Sequence, residues 1–306
     1  MMKLKDSFIK SIEEIVGSEN IKLNELMKKH TTFKVGGPAD LLVYPSTYEM
    51  IKKVIDVCKA NNVEYFLMGN GSNLIVKDGG FRGVVIKVDR LSEIKVTDNS
   101  VTAQCGAILS AVAKKALENG LTGLEFAAGI PGYIGGAVAM NAGAYGGEMS
   151  HVLEKVLVIN DENNIIELSK DELELGYRTS AILKYGYIVL ETTIRLEQGN
   201  KEDIKGRMNE LALQRRTKQP LEYPSAGSTF KRPVGYFAGK LIQDAGLKGA
   251  VVGGAQVSEK HSGFIINVGD ASAADILNLI KRVQDEVYKQ FGVELQTEVR
   301  IIGEEL

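Results

Sequence analysis

From Gly129 to Gly147 the chain reads Gly-Ile-Pro-Gly-Tyr-Ile-Gly-Gly-Ala-Val-Ala-Met-Asn-Ala-Gly-Ala-Tyr-Gly-Gly. Glycine loses more backbone freedom on ordering than any other residue, so no core strand uses this many. The run therefore predicts loops around one short buried helix. Residues this small let a flat aromatic cofactor and its diphosphate pack against backbone. A glycine-rich structural corner is the plain alternative, and the flanking patterns must frame either one.

Those patterns alternate between strand and helix. Residues 1–30 predict a helix, with Phe8, Ile9, Ile12, Ile15 and Val16 at helical spacing, and then a connector. A strand over Leu41–Tyr44 is followed by a helix, capped by Ser46 with Glu49 three residues on, whose inner face is Met50, Ile51, Val54, Ile55 and Cys58. Strands are expected at Tyr65–Met68, Leu74–Val76 and Val84–Val88. Further strands at Val101–Gln104, Val156–Asn160, Ile165–Leu168 and Tyr187–Leu196 surround a helix from Ile108 to Asn119, closed by Gly120. A charged helix over 201–218 links to a C-terminal part bounded by Pro220 and Pro224. That part reads strand, helix (Phe237–Ala245), strand (Gly263–Asn267), long helix and strand (Leu295–Ile302). The long helix opens at Ser272 and Asp275, carries the stripe Ile276, Leu279, Ile280, Val283, Val287 and Phe291, and ends at Gly292.

A second glycine loop, Gly69-Asn70-Gly71-Ser72-Asn73, follows a predicted strand. Consecutive amides in such a turn can converge on phosphate oxygens, with Ser72 and Asn73 adding side-chain donors. Leu74 stands where a dinucleotide fingerprint needs its third glycine, and a tight hairpin turn fits equally well. Arg178, in Gly176-Tyr177-Arg178-Thr179-Ser180, can grip a carboxylate with two parallel hydrogen bonds or stand as a solvated charge. Ser228 lies in Gly227-Ser228-Thr229-Phe230-Lys231; Phe230 breaks the Gly-x-Ser-x-Gly elbow, so the hydroxyl suits proton donation better than nucleophilic attack. Glu298, in the terminal strand, is either an edge charge or an inward carboxyl with a raised pKa. Lys260 and His261 either bind phosphate or sit in a solvated loop, and Arg215-Arg216 is read as a solvated helix end.

The bulk numbers exclude several classes. A net charge of -2 gives no basic field for nucleic acid. No apolar run reaches the ~20 residues of a membrane helix, and the first residues lack the apolar core of a signal peptide. Two distant cysteines, Cys58 and Cys105, suit a reducing cytoplasm, and His30, His151 and His261 lack metal-ligand spacing, so no metal is expected.

Taken in order, Thr31-Thr32-Phe33-Lys34-Val35-Gly36-Gly37-Pro38-Ala39-Asp40, the loop from Gly69 to Asn73, Gly129-Ile130-Pro131-Gly132, Met140-Asn141-Ala142-Gly143-Ala144, Tyr177-Arg178-Thr179-Ser180, Gly227-Ser228-Thr229-Phe230-Lys231 and Gly254-Ala255-Gln256-Val257-Ser258-Glu259-Lys260-His261 resemble the UDP-N-acetylenolpyruvoylglucosamine reductase family. The match runs from about residue 31 to residue 302, and the ordered set is far more specific than any piece.

The resemblance implies an α+β fold: a two-lobed FAD-binding domain of the vanillyl-alcohol oxidase / p-cresol methylhydroxylase type over 31–200, with lobes about 31–90 and 91–200, and a C-terminal α+β substrate domain over 201–306. It implies FAD and NADPH as cofactors, UDP-N-acetylglucosamine enolpyruvate as substrate, and a place in peptidoglycan precursor synthesis. A cytoplasmic monomer is expected, of the shorter type without a tyrosine-bearing insertion. Flavin contacts are expected from Gly69, Asn70, Gly71, Ser72, Asn73, Gly129, Ile130, Pro131, Gly132, Gly135, Asn141, Ala142 and Gly143. Substrate contacts are expected from Tyr177, Lys231, Arg232, Lys260, His261 and Arg300. Ser228 matches the proton donor, and Arg178 and Glu298 match the residues that stabilise the enol(ate). Arg232 stands where many relatives carry asparagine. Two alternatives keep the fold: an FAD oxidase with another substrate, with His30 as an attachment candidate, and a non-catalytic UDP-sugar or flavin-binding protein.

Overall fold

The computed structural model describes residues 4–306; expectations that rest on Met1, Met2 and Lys3 lie outside the described residues. Contacts divide the chain into two compact units. The first comprises the chain through Lys22, Leu42–Asn70 and Val84–Arg215; the second comprises Leu23–Leu41, Gly71–Gly83 and Arg216–Leu306.

In the first unit a five-stranded antiparallel sheet runs in the order Ile165–Ser169, Leu153–Ile159, Ile188–Arg195, Ser100–Gln104, Ile94–Thr97. Ser100–Gln104 shows why the sequence pairs this way: Val101 and Ala103 are buried, while the intervening residues are half-exposed. The helix Leu109–Glu118 packs on the sheet through Leu109, Val112, Ala113 and Ala116. The expected short buried helix is Ile134–Ala139. Gly135 explains its composition, since a Cβ there would sit 2.9 Å from Cys105 Cβ. Only glycine lets helix and strand end approach this closely.

The same unit holds the helix Tyr48–Ala60, with Ile51, Val54, Ile55 and Cys58 buried and Met50 only half-buried. Its cap differs from expectation. Thr47, in extended backbone, accepts from the Met50 amide at 3.1 Å. Ser46 instead turns its hydroxyl toward the Met50 sulfur, because the cap must stand three residues before the amide it satisfies. The strand Tyr65–Met68 pairs in parallel with Val84–Lys87, and the N-terminal helix Asp6–Val16 buries Phe8, Ile12 and Val16.

In the second unit the helix Ala273–Phe291 organises the core. Ser272 and Asp275 form a reciprocal capping box, and Gly292 closes the helix at φ 65. Ile276, Leu279, Ile280, Val283 and Val287 are buried, whereas Phe291 is 38% exposed, so the stripe stops one turn earlier than predicted. The helix packs on a three-stranded antiparallel sheet of Val251–Val252, Ala255–Val257 and Ile265–Asn267, and on the helix Ala238–Asp244. Phe33, Val35, Ile75, Phe230, Leu295 and Val299 complete that core.

Two strand expectations are corrected here. The terminal strand is confined to Arg300–Ile302, parallel to Leu74–Val76. Upstream of it, Thr297 makes an isolated bridge to Phe230, so neither the Phe230 segment nor Glu298 lies in a continuous strand. Among the described residues no helix is long and apolar enough to cross a membrane.

Candidate active site

The second unit joins three segments that are far apart in sequence. Thr229 is the anchor: its N–H donates to the Gly263 carbonyl at 2.9 Å, and its hydroxyl accepts from the Ile265 amide at 3.1 Å. Its carbonyl accepts from the Glu298 amide at 2.8 Å, and the Lys231 amide donates to the Gln296 carbonyl at 2.8 Å. Ser228, half-buried behind Gly227 at φ 77, is thus held next to the Glu298 segment. From the glycine loop, the Asn73 side-chain amide donates to the Glu298 carbonyl at 3.1 Å, and the Arg300 amide donates to the Asn73 carbonyl at 3.1 Å. Backbone hydrogen bonds and the Asn73 side-chain amide therefore set Ser228, Glu298, Arg300 and Asn73 side by side.

The expected substrate residues in this unit have local partners. Arg232 is exposed and stacks over the Phe237 ring, 3.9 Å from its centroid, with its Nε donating to the Tyr236 carbonyl. Lys260 Nζ pairs with Glu222 at 3.4 Å. His261 is half-buried rather than loop-solvated: Nδ1 accepts from the Gly263 amide at 3.1 Å, and the ring meets Phe264 edge-on. Burial holds its pKa below the ordinary histidine value. His30 contacts Glu25 at 3.0 Å.

The Gly69–Asn73 loop is a crossover rather than a hairpin turn. Its flanking strands do not pair with each other: Tyr65–Met68 pairs with the strand Phe81–Lys87, and Leu74–Val76 pairs with Arg300–Ile302. Gly71 is buried at φ 64, and its N–H finds no acceptor among the described residues; nor do the N–H groups of Asn70 and Asn73. A buried amide requires a partner, and the Gly71 N–H, with those of the half-buried Asn70 and Asn73 in the same loop, fits an anion such as the diphosphate of FAD.

In the first unit the Gly69 carbonyl lies 3.4 Å from Lys87 Nζ, which pairs with Asp89 at 2.6 Å. The Tyr133 hydroxyl donates to the same Asp89 oxygen at 3.1 Å, and its pKa is pushed up to about 12 by burial and then by the Asp89 charge. This partly buried group couples Gly69 to the Gly129–Gly147 run, and the sequence reading missed it. The available signal was Lys87, a charge closing the apolar run Val84-Val85-Ile86. Gly129 is covered by Arg215, whose Cδ and Nη1 come within 3.2 Å of a Cβ built there. Arg215 is half-buried and its pKa is lowered by desolvation, which corrects the expected solvated helix end; Arg216 is exposed. Ile130, Pro131, Gly132 and Ala142 lie in irregular backbone on either side of the helix Ile134–Ala139, and Gly143 opens the short strand Gly143–Ala144, paired with Gly147–Glu148.

Arg178 occupies the tip of a tight turn in which Gly176 and Thr179 exchange backbone hydrogen bonds. Its φ of 54 costs a non-glycine residue on the order of 1 kcal/mol. The guanidinium donates through Nη2 to the Gly143 carbonyl at 3.1 Å and lies 5.1 Å from the ring centroid of the exposed Tyr177.

A family model described as an FAD binding domain matches residues 39–169. The fold is that of the vanillyl-alcohol oxidase class, and alkyldihydroxyacetonephosphate synthase shares it with a TM-score of 0.51 at 16% identity, over 64% of this chain and 41% of that one. The chain is accordingly an FAD-binding α+β protein with a distinct C-terminal domain. That C-terminal domain, residues 219–302, matches the model described as UDP-N-acetylenolpyruvoylglucosamine reductase, C-terminal domain. UDP-N-acetylenolpyruvoylglucosamine reductase of Clostridium tetani is 60% identical over 298 residues, 97% of each chain. The crystal structure of UDP-N-acetylenolpyruvylglucosamine reductase from Thermus caldophilus matches with a TM-score of 0.79 at 38% identity, covering 92% of this chain and 99% of that one. The chain belongs to the UDP-N-acetylenolpyruvoylglucosamine reductase family.

Proposed function

We propose that this enzyme reduces the enolpyruvyl group of UDP-N-acetylglucosamine enolpyruvate to give UDP-N-acetylmuramate, using NADPH. When bound, FAD supplies a hydride at N5 and is replenished by NADPH. The unmatched amides of Asn70, Gly71 and Asn73 would hold its diphosphate. Hydride addition to the vinyl carbon places charge on the enolpyruvyl carboxylate. Arg178 supplies a fixed cation for it, and Glu298, when protonated, supplies a hydrogen bond; such preorganised groups lower a barrier most where charge develops. Ser228 gives the proton to the adjacent carbon. Tyr177, Lys231, Arg232, Lys260, His261 and Arg300 are proposed around the sugar and its diphosphate.

The observation that carries this reading is the Glu298 N–H to Thr229 O hydrogen bond, which pairs the serine segment with the glutamate segment beside Asn73. A binding protein has no need of a proton donor and a carboxyl held together in this way. The two buried free thiols, Cys58 and Cys105, support a reducing cytoplasm.

The test separates the half-reactions. NADPH should bleach the flavin of Ser228→Ala at the normal rate, while reoxidation by the enolpyruvyl UDP-sugar slows by about 10²–10⁴-fold. Equal slowing of both halves removes Ser228 from the proton step. Rapid reoxidation by air with no response to the UDP-sugar would instead identify an oxidase.

A further inference from the structure

The turn bearing Arg178 is clamped by Asn141, expected above among the flavin contacts, and by Glu148, Ser150 and Ser180, which have no role in the proposed reaction. Asn141 is 1% exposed. Its Nδ2 donates to the Gly176 carbonyl at 3.1 Å, within the turn, and to Glu148 Oε1 at 3.2 Å; its Oδ1 accepts from the Ser150 amide at 2.9 Å. The Ser150 hydroxyl donates to the same Glu148 oxygen. On the other side of the turn, the Ser180 hydroxyl donates to the Ala139 carbonyl at 2.7 Å.

We infer that Asn141 and Glu148 are positioning residues that hold Arg178 in its left-handed conformation, aimed for the reaction. The inference rests on the proposed role of Arg178. An arginine with positive φ stays in place only where its surroundings over-determine it. Both N–H donors of the Asn141 amide and one lone pair of its oxygen are committed to protein partners, one of them within the turn, so the side chain acts on the turn. Glu148 is the second anchor. Its acidity is increased by the Ser150 hydroxyl, then by Asn141, with smaller contributions from His151 and Arg178. A carboxylate therefore fixes the orientation of the asparagine amide, and the asparagine fixes the turn. Networks of this kind are worth more than their separate bonds.

The test uses the FAD-loaded enzyme and stopped-flow flavin absorbance. Asn141→Asp replaces the donor facing Gly176 and Glu148 with an acceptor, and Glu148→Gln removes the charge while keeping the shape. Reoxidation by the enolpyruvyl UDP-sugar should slow by about 10- to 10²-fold in each, since small misplacements of a reacting group cost this much. NADPH bleaching of Glu148→Gln, which is not among the expected flavin contacts, should stay within about twofold, because the clamp acts on Arg178. Added to Arg178→Ala, neither change should slow reoxidation further, as expected for residues acting as one unit. Should Asn141→Asp fail to fold, Glu148→Gln and Ser150→Ala decide. Wild-type reoxidation in the clamp variants, equal loss of both half-reactions, or full additivity with Arg178→Ala overturns the inference. If Arg178→Ala itself reoxidises normally, the role of Arg178 falls and the clamp with it; if it is slow while the clamp variants are fast, the clamp alone falls.

Discussion

The two units hold the side chains proposed for the reaction by different means. In the second, Ser228 and Glu298 are set chiefly by main-chain bonds through Thr229 and Gln296, with the Asn73 side chain added on the Glu298 carbonyl, over a core built on the helix Ala273–Phe291. In the first, Arg178 is set by the side chains of Asn141, Glu148, Ser150 and Ser180. Main-chain pairing survives most substitutions, because every residue carries the same donor and acceptor. A side-chain clamp does not. Substitutions around Ser228 should therefore cost stability before they cost geometry, and those around Arg178 the reverse.

The strongest challenge to this contrast is Leu279→Ala, deep in the second unit. It should lower unfolding free energy by about 2–5 kcal/mol in urea titrations while leaving the ratio of the two half-reaction rates unchanged. A changed ratio would mean that the core, and not the main-chain pairing, sets Ser228 and Glu298. Thr229→Val is the sharper probe. It strands the Ile265 amide and should cost about 1–3 kcal/mol, again without altering the ratio. Ser272→Ala removes one half of the capping box and should cost roughly 1 kcal/mol. The smallest effect is the pH response of His261. Because the folded protein disfavours its charged form, the unfolded chain binds the proton more readily, and stability falls as pH drops through the ordinary histidine value of 6.5. Urea midpoints of wild type and His261→Gln should therefore converge as pH falls from 8 to 5; parallel curves would remove His261 from the response.

What could be read from the sequence follows the range of the interactions involved. The helix Ala273–Phe291 was legible at both ends because caps and a 3.6-residue stripe are local signals. The short helix Ile134–Ala139 was legible because so many glycines leave few other outcomes. The Thr47 cap was missed by one residue, since Ser46 and Thr47 are chemically alike and only backbone dihedrals separate them. The terminal strand was overextended because Leu295–Val299 alternates like a strand, yet its partner, the Phe230 segment, makes only one bridge with it. Arg215 and the Lys87–Asp89–Tyr133 group were illegible for a different reason. The Lys87 charge closing an apolar run hints at burial, but the partners lie roughly forty to ninety positions away in the chain, and no local pattern names them.

The way the chain threads through the two units has a consequence for biosynthesis. The peptide passes from one unit to the other after Lys22, Leu41, Asn70, Gly83 and Arg215. Phe33, Val35 and Ile75 belong to a core otherwise made after Arg216, and Asp78 accepts from the Ala273 and Ala274 amides at the start of its main helix. A fragment beginning near residue 219 would therefore emerge with an open hydrophobic face and an uncovered helix start. During translation, the early segments Leu23–Leu41 and Gly71–Gly83 have to wait for the last third of the polypeptide to leave the ribosome before their half of the protein can close.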